Sequence, residues 1–159
     1  MPIHNIPPVY NENSKILILG SFPSVKSRES NFFYGHPQNR MWKLLSALFA
    51  CKLPITVDDK KALLLNNNLA MWDVIASCDI VGSSDSSIKN AVPNDISEIL
   101  GNTDIRLIVT NGKKADALYR RYILPSVGIE PLCLPSTSPA NAAYSLDRLI
   151  DEWKRILNY

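Results

Sequence analysis

The stretch that decides the fold is Lys15-Ile16-Leu17-Ile18-Leu19-Gly20, an unbroken apolar run between a lysine and a glycine. A strand with one face in water alternates apolar and polar residues, whereas an unbroken apolar run is typical of a strand that is covered on both faces, as in parallel sheets. Pro23 follows shortly and cannot donate a hydrogen bond to a sheet. We therefore predict a buried strand that ends in a tight turn after Gly20.

Segments of helical and extended character alternate along the rest of the chain. Apolar residues recur at helical spacing after Asn39 and again near the end of the chain. We predict helices over residues 39–49, 58–66, 94–100, 113–122 and 146–157, strands over residues 69–75, 105–110 and 129–134, an exposed loop over residues 83–90, and Asn94 as a helix cap. This alternation predicts an α/β fold: a three-layer α/β/α sandwich with a central, mostly parallel four-stranded sheet, in a single domain over residues 1–159.

Composition and charge exclude several classes of protein. The chain has 159 residues, of which 46% are hydrophobic, so it can bury a core without disulfides or a metal. Its net charge of +2 excludes a generally basic surface, and any contact with nucleic acid must come from local clusters of Lys and Arg. Cys51, Cys78 and Cys133 form no C-x-x-C pair, which argues against a zinc site. We expect no metal and no other cofactor.

The sequence also bears on location and on partners. Residues 1–8 lack the charged and apolar regions of a secretory signal, and no apolar run approaches the roughly 20 residues that cross a bilayer. We therefore expect a cytoplasmic protein without a membrane partner. We further expect a monomer that needs no obligate protein partner.

The predicted sheet locates the functional site. Ligands of open α/β sheets bind beyond the carboxyl ends of the strands. Three unusual segments follow predicted strands, namely residues 20–24, 110–112 and 134–141. We predict that these segments converge on one edge of the sheet.

Aromatic side chains are concentrated in a polar segment after the first strand. It contains Phe32, Phe33, Tyr34 and His36, and it ends at Asn39. Such rings can stack on a planar heterocycle, because every base has a π-face. An amide beside them can orient a water molecule or contact a base edge. The alternative is that the rings are core residues displaced by a long loop.

Three segments together resemble one known family. GSFPS (residues 20–24) followed by FYGHPQNRMW (residues 33–42) is similar to the first motif of the uracil-DNA glycosylase superfamily. LPSTSPAN (residues 134–141) is similar to the second motif, which precedes the final helix, and LIVTNGKKA (residues 107–115) is similar to the strand and helix start between them. The segments occur in the family's order and span nearly the whole chain.

One position departs from the better-known branches of that superfamily. Phe22 stands where the mismatch-specific enzymes have the asparagine of G-I-N-P-G, and no aspartate of the G-Q-D-P-Y kind is present. The combination of G-S-F-P-S with H-P-Q-N resembles the hypoxanthine-DNA glycosylase branch instead. The resemblance therefore implies a monofunctional DNA glycosylase that flips a deaminated base, hypoxanthine or else uracil, and hydrolyses its N-glycosidic bond in base excision repair. The alternative is a DNA- or nucleotide-binding module of the same fold without activity, which the loss of the asparagine at Phe22 would favour.

The resemblance also implies site residues. Asn39 and Asn111 are the expected catalytic residues; Asn39 is predicted to position the attacking water and Asn111 to contact the base, and an exchange of these roles remains open. The residues expected to bind the base are Ser21, Phe22, Pro23, Phe33, Tyr34 and His36. The residues expected to bind DNA containing the damaged base are Ser136, Thr137, Ser138, Pro139, Ala140, Asn141 and Lys113.

Structural alternatives exist for several of these residues. His36 beside Pro37 can be a structural histidine, and residues 136–141 can be a capped turn that leads into the last helix. Lys113 can belong to a solvated helix face. Asp73, which follows Trp72 near the end of the second predicted strand, is a further candidate, either as an acceptor for a base N–H or as a cap of the residues that follow.

Overall fold

A computed structural model describes residues 6–159, and the first five residues, part of the N-terminal stretch used above to argue against a secretory signal, lie outside it. In chain order the elements are β1 (Ile16–Gly20), α1 (Val25–Ser30), α2 (Met41–Leu48), α3 (Val57–Asn66), β2 (Leu69–Asp73), β3 (Ile75–Asp79), β4 (Lys89–Pro93), α4 (Ser97–Gly101), β5 (Leu107–Asn111), α5 (Lys113–Tyr122), α6 (Leu124–Val127), β6 (Leu132–Leu134) and α7 (Leu146–Trp153). The central sheet has the order β2-β1-β5-β6, and all its strands are parallel. This arrangement confirms the predicted fold class.

Both faces of β1 are covered, as its unbroken apolar run predicted. Ile16 and Ile18 point into a core formed with α2, α3 and α7, whereas Leu17 and Leu19 point into a second core formed with α5 and the start of β3. Because side chains alternate across a strand, five consecutive buried residues serve two layers of helices at once. The sheet is therefore the middle layer of a three-layer α/β/α sandwich.

Helices α3 and α7 begin at recognisable capping residues. Thr56 and Asp59 form a reciprocal capping box at the start of α3, and the Ser145 side chain accepts a hydrogen bond from the Arg148 N–H at the start of α7. Helix α5 occupies the predicted residues, whereas α7 stops at Trp153 and continues as a short 3₁₀ segment, Lys154–Asn158. Within residues 6–159, no helix is both long enough and apolar enough to cross a bilayer.

Three expectations about the middle of the chain are wrong. The single strand predicted over residues 69–75 is two strands, because β3 leaves the central sheet and pairs antiparallel with β4. The predicted exposed loop over residues 83–90 accordingly ends where β4 begins, at Lys89. Asn94 does not cap α4. Its Nδ2 donates to the backbone oxygen of Asp73, and Asp95 accepts from the Ser97 N–H instead.

Candidate functional site

The carboxyl ends of the four parallel strands meet at one edge of the sheet. Gly20 at the end of β1 is paired with Asp73 of β2, and Asn111 of β5 is paired with Leu134 of β6. A cavity of about 310 Å³ opens there. Its volume lies at the lower end of the roughly 300–1,000 Å³ range of small-molecule sites. The predicted convergence of the three unusual segments is therefore confirmed.

Most of the predicted site residues line this cavity. Those in its wall are Ser21, Phe22, Pro23, Phe33, Tyr34, His36, Asn39, Asn111, Ser136, Ser138, Pro139 and Ala140. Thr137, Asn141 and Lys113 do not line it. The wall also contains the further candidate Asp73, together with residues that were not predicted, namely Gly20, Ser24, Ser27 and Ser83.

The aromatic rings of the wall belong to the hydrophobic core as well. Phe22 is 7% exposed and Phe33 is 1% exposed, so each presents only a small part of its surface to the cavity. The Arg28 guanidinium lies 5.4 Å from the centre of the Phe22 ring, and Tyr34 meets Trp42 edge to face at 6.5 Å. These contacts fix the rings in place. Phe33, which is almost completely buried, fits the core interpretation, and stacking of these rings on a base stays a prediction.

The two asparagines are joined through Thr137. The Thr137 hydroxyl donates to Asn39 Oδ1 over 2.8 Å and accepts from Asn111 Nδ2 over 3.0 Å. The Thr137 backbone N–H donates to Asn111 Oδ1 over 3.1 Å. Asn39 Oδ1 also accepts from the Met41 N–H at the start of α2, over 3.0 Å. The site therefore holds both amides by connections between segments that are far apart in the chain.

The predicted DNA contact of Thr137 is wrong for its side chain. This side chain is fully buried, and its hydroxyl is used inside the protein between Asn39 and Asn111. The Thr137 backbone oxygen is engaged too, since it accepts from the N–H and from Nε of Arg40. Thr137 therefore links the two asparagines and has no hydroxyl to offer to a phosphate.

Arg40 is a functional candidate that the sequence analysis missed. Its guanidinium donates to the backbone oxygens of four residues in the segment between β6 and α7: Thr137, Ser138, Asn141 and Tyr144. A guanidinium has five N–H donors in a fixed planar arrangement, which suits several carbonyl acceptors at once. Arg40 thereby holds residues 137–144 against the start of α2, next to Asn39.

The segment over residues 136–141 is braced internally. Ser136 Oγ accepts from the Ser138 N–H, Ser138 Oγ accepts from the Ala140 N–H, and the Asn141 side chain donates to the Ser136 oxygen. Pro139 and Ala140 are exposed at its tip, whereas the Asn141 side chain is turned inward. Lys113 is exposed at the start of α5. Contacts of these residues with DNA remain predictions.

His36 is held in one tautomer. Its Nδ1 accepts from the Gln38 N–H over 3.1 Å, so in the neutral ring the proton is on Nε2. Since His36 lines the cavity, its ring can serve as a donor through Nε2. The structural interpretation of His36 is also met, because the same bond shapes the turn before Asn39.

Gly20 is required by the packing of the wall. A Cβ at this position would lie 2.4 Å from Asp73 Oδ1 and 2.9 Å from Tyr34 Oη. The Asp73 carboxylate, 3% exposed, therefore reaches the cavity across the end of β1. This position brings Asp73, a minor candidate from sequence, among the residues that a ligand can meet.

The hairpin of β3 and β4 supplies one wall residue. Ser83 lies in its loop, and Ser83 Oγ accepts from the Val25 N–H at the start of α1 over 2.9 Å. Arg28 of α1 donates to the backbone oxygen of Gly82 in the same loop. Sequence analysis could not predict that Ser83 lies in the cavity wall, because these hydrogen bonds join segments that are more than fifty residues apart.

The Cys133 thiol of β6 is not part of the cavity wall. No group of three or more His, Cys, Asp or Glu side chains within residues 6–159 is arranged to hold a metal ion. Burial, together with the nearby Asp116 carboxylate, raises the pKa of the Cys133 thiol. A thiol with a raised pKa is a poor nucleophile at neutral pH, because the thiolate is the reactive form.

Comparison with known proteins agrees with this geometry. The family model described as the uracil DNA glycosylase superfamily matches residues 7–158. The chain belongs to this superfamily. The resemblance of its first and second motifs, now located on two sides of the same cavity, is thereby confirmed.

Relatives within the superfamily identify the branch. A hypoxanthine DNA glycosylase from Methanosarcina acetivorans is 36% identical over 155 residues, 96% of each chain. A second protein of that name, from Methanosarcina barkeri, is 34% identical over 143 residues, 89% of each chain. A solution NMR structure from Methanosarcina acetivorans, solved as a candidate uracil DNA glycosylase, superimposes with a TM-score of 0.81 at 34% identity over 97% of each chain. The similarity to the hypoxanthine branch is therefore confirmed as well.

The turn between β5 and α5 of this superfamily member permits a first prediction. Gly112 has φ +98°, and a Cβ there would lie 2.9 Å from the Ser136 Cβ. Gly112→Ala is expected to destabilise the protein by about 1–3 kcal/mol, because it combines backbone strain with a steric clash. Gly101→Ala is the matched control, since a Cβ at Gly101 in α4 meets nothing within 4 Å. Thermal unfolding measures both, and equal melting temperatures would contradict the prediction.

Proposed function

We propose that the protein is a monofunctional DNA glycosylase that flips a deaminated base out of DNA and hydrolyses its N-glycosidic bond, as a step of base excision repair. Hypoxanthine is the first candidate base and uracil the second. The observation that carries the proposal is a cavity of about 310 Å³ lined by aromatic rings and two asparagine amides, in a chain whose relatives named hypoxanthine DNA glycosylase match it over most of its length. We further propose that it acts in the cytoplasm as a single-domain monomer, with damaged DNA as its partner and without a cofactor.

The chemistry of the reaction explains what such a site needs. Cleavage of an N-glycosidic bond passes through an oxocarbenium-like state, while negative charge develops on the departing base. A site that promotes this step must hold a water molecule near the sugar and direct hydrogen-bond donors at the base. Asn39 and Asn111 are the residues that we assign to these tasks. Both line the cavity, and both are held by Thr137.

The aromatic part of the wall supports the capture of a flipped base. Phe22, Phe33 and Tyr34 line the cavity, and stacking on an aromatic side chain stabilises an unpaired base by about 1–3 kcal/mol. Base flipping costs a few kcal/mol of lost stacking and pairing, and the cavity must repay that cost. His36 Nε2 and the Asp73 carboxylate are the groups proposed to distinguish one base edge from another.

The exposed tip of the segment after β6 supports a role in DNA binding. Pro139 and Ala140 lie at this tip beside the cavity, where they can fill the gap that a flipped nucleotide leaves in the duplex. The hydroxyl protons of Ser136 and Ser138 and the Lys113 ammonium are proposed to contact the flanking phosphates, because the backbone N–H groups of Thr137, Ser138, Ala140 and Asn141 donate within the protein. The small net charge of +2 requires such contacts to be local.

A cleavage assay tests the proposed function. Labelled duplexes that carry one deoxyinosine, deoxyuridine or deoxyxanthosine are incubated with the protein and then treated with alkali, which breaks the strand at abasic sites. We expect breakage at deoxyinosine, weaker or no breakage at deoxyuridine, and none in an undamaged duplex. EDTA is expected to leave the rate unchanged, because the proposed reaction needs only water. Binding of the damaged duplexes without any breakage would instead favour the non-catalytic module.

A further inference from the structure

The hydrogen bonds that join Asn39, Thr137 and Asn111 have a direction that is fixed at both ends. At one end the Thr137 backbone N–H donates to Asn111 Oδ1. At the other end the Met41 backbone N–H donates to Asn39 Oδ1. A backbone N–H can only donate, so each amide must turn its oxygen towards it. The orientation of both side-chain amides follows from these two bonds.

The Thr137 hydroxyl completes the chain of donors. Asn111 Nδ2 donates to this hydroxyl, so the hydroxyl accepts there and directs its own single proton to Asn39 Oδ1. Asn39 Oδ1 therefore accepts two hydrogen bonds, from Thr137 and from Met41, and these occupy both of its lone pairs. The polar group that Asn39 can offer to a ligand in the cavity is its NH₂ group, for which residues 6–159 show no acceptor.

We propose that Asn39 acts on the departing base as a hydrogen-bond donor, and that Thr137 is the positioning residue that holds Asn39 in this orientation. The proposal rests on the proposed glycosylase function. The sequence analysis assigned Asn39 to the water and Asn111 to the base and left the reverse assignment open. The proposal adopts the reverse assignment. Among residues 6–159, Asn111 Oδ1 accepts only from the Thr137 N–H, so it keeps a lone pair that can orient the attacking water.

The reaction gives a donor at Asn39 a clear task. When the bond between C1′ of the sugar and the base nitrogen breaks, its electron pair stays on the base, and the charge spreads over ring nitrogens and the carbonyl oxygen. An N–H directed at one of these atoms binds the developing anion more strongly than the neutral base, which lowers the barrier. Water adds to C1′ and releases a proton, which neutralises the base. No further reactant is required.

Replacing the donor by an acceptor of the same shape tests the proposal. Asn39→Asp retains one oxygen for Met41 and Thr137, but it presents a second carboxylate oxygen to the cavity. Under single-turnover conditions at neutral pH, we expect it to release hypoxanthine roughly a hundredfold or more slowly than the unsubstituted protein, as slowly as Asn39→Ala. A rate near or above that of the unsubstituted protein would overturn the proposal, because a carboxylate orients water at least as well as an amide.

The activity of the unsubstituted protein shows whether a negative result contradicts the donor role of Asn39 or the glycosylase function as a whole. If it releases no base from any damaged duplex, the glycosylase function itself fails. If it releases base and Asn39→Asp does so equally well, only the donor role of Asn39 fails. Melting temperatures of the variants show that the comparison is made between folded proteins.

A second pair of variants tests the positioning role of Thr137. Thr137→Val removes the hydroxyl while keeping the shape of the side chain. It is expected to slow base release about tenfold or more, because the hydrogen bonds of this hydroxyl to Asn39 and from Asn111 are both lost. Thr137→Ser keeps the hydroxyl and is expected to retain most of the rate. A merely structural role would lower the melting temperature without separating the two rates. Equal rates in Thr137→Val and Thr137→Ser would overturn the assignment of Thr137.

Discussion

Asn39→Ala is expected to slow base release by roughly a hundredfold or more. The substitution removes the one amide that is anchored at the start of α2 and faces the cavity. Phe22 and Phe33, the rings proposed to stack on the base, stay in place because they are packed into the cores. The affinity for a duplex that contains deoxyinosine is therefore expected to change much less than the rate. Single-turnover kinetics and equilibrium binding measure the two quantities separately.

The competing explanation is that Asn39 only stabilises the start of a helix. Its Oδ1 accepts from the Met41 N–H, and loss of such a cap costs about 1 kcal/mol. Thr56→Ala is the matched control: Thr56 Oγ1 accepts from the Asp59 N–H at the start of α3, outside the cavity wall. Asn39→Ala should lose more stability than Thr56→Ala, because it also leaves the buried Thr137 hydroxyl without its acceptor, and only Asn39→Ala should lose the rate. Similar rates in the two variants would reduce Asn39 to a helix cap.

The sequence predicted the central layer of the fold because its signals are local. The side chains of β1 are buried alternately by two helical layers, so the unbroken apolar run alone predicts a strand that is covered on both faces. The helical spacing of the buried residues in α2 and in α5 is likewise visible within each segment alone. The edge of the sheet at which the site lies then follows from the parallel arrangement.

The hairpin of β3 and β4 left a much weaker signal. Its second strand, KNAVP, is mostly exposed and includes a proline, so it has neither an apolar run nor a clear alternation. Its pairing with β3 is also irregular in register. Helix α1 is short and polar, and Ser24 is its only clear signal, as an N-cap. Elements that bury little of their own surface are stabilised by their neighbours, which no local pattern reports.

The connections within the site were not predictable for a different reason. Thr137 was assigned to DNA because the second motif, in which it lies, resembles the DNA-contacting segment of the superfamily, yet it bonds to Asn39, 98 residues away in the chain. Arg40 belongs to the first motif but acts on the second, 97 to 104 residues later. The sequence therefore indicated which residues gather at the cavity. It did not indicate which of them hold the others.

Arg40→Ala is expected to lower the free energy of unfolding by about 2–4 kcal/mol, because several charge-assisted hydrogen bonds are lost together. The guanidinium is half-buried and donates to four backbone oxygens of the segment after β6. Without it, all four oxygens lose a charged donor, and those of Thr137, Ser138 and Asn141 keep only a backbone N–H. Residues 137–144 thereby lose the side-chain part of their attachment to the start of α2. Since Thr137 lies in this segment and orients Asn39, base release should slow as well. Urea unfolding and single-turnover rates provide the measurements.

Two further substitutions show whether the planar set of guanidinium N–H donors or only the positive charge of Arg40 holds the segment after β6. Arg40→Lys keeps the charge but has a single ammonium, which cannot reach four carbonyls in fixed directions, so it should recover only part of the stability and rate. Arg148→Ala is the matched control, because exposed Arg148 donates to one backbone oxygen, that of Ala143, and lies 4.2 Å from the Tyr144 ring. Its loss should cost less than about 1.5 kcal/mol and leave the rate unchanged. Stability and rate fully retained in Arg40→Lys would mean that the positive charge alone holds the segment. Equal losses of stability and rate in Arg40→Ala and Arg148→Ala would mean that the contact with four carbonyls contributes nothing specific.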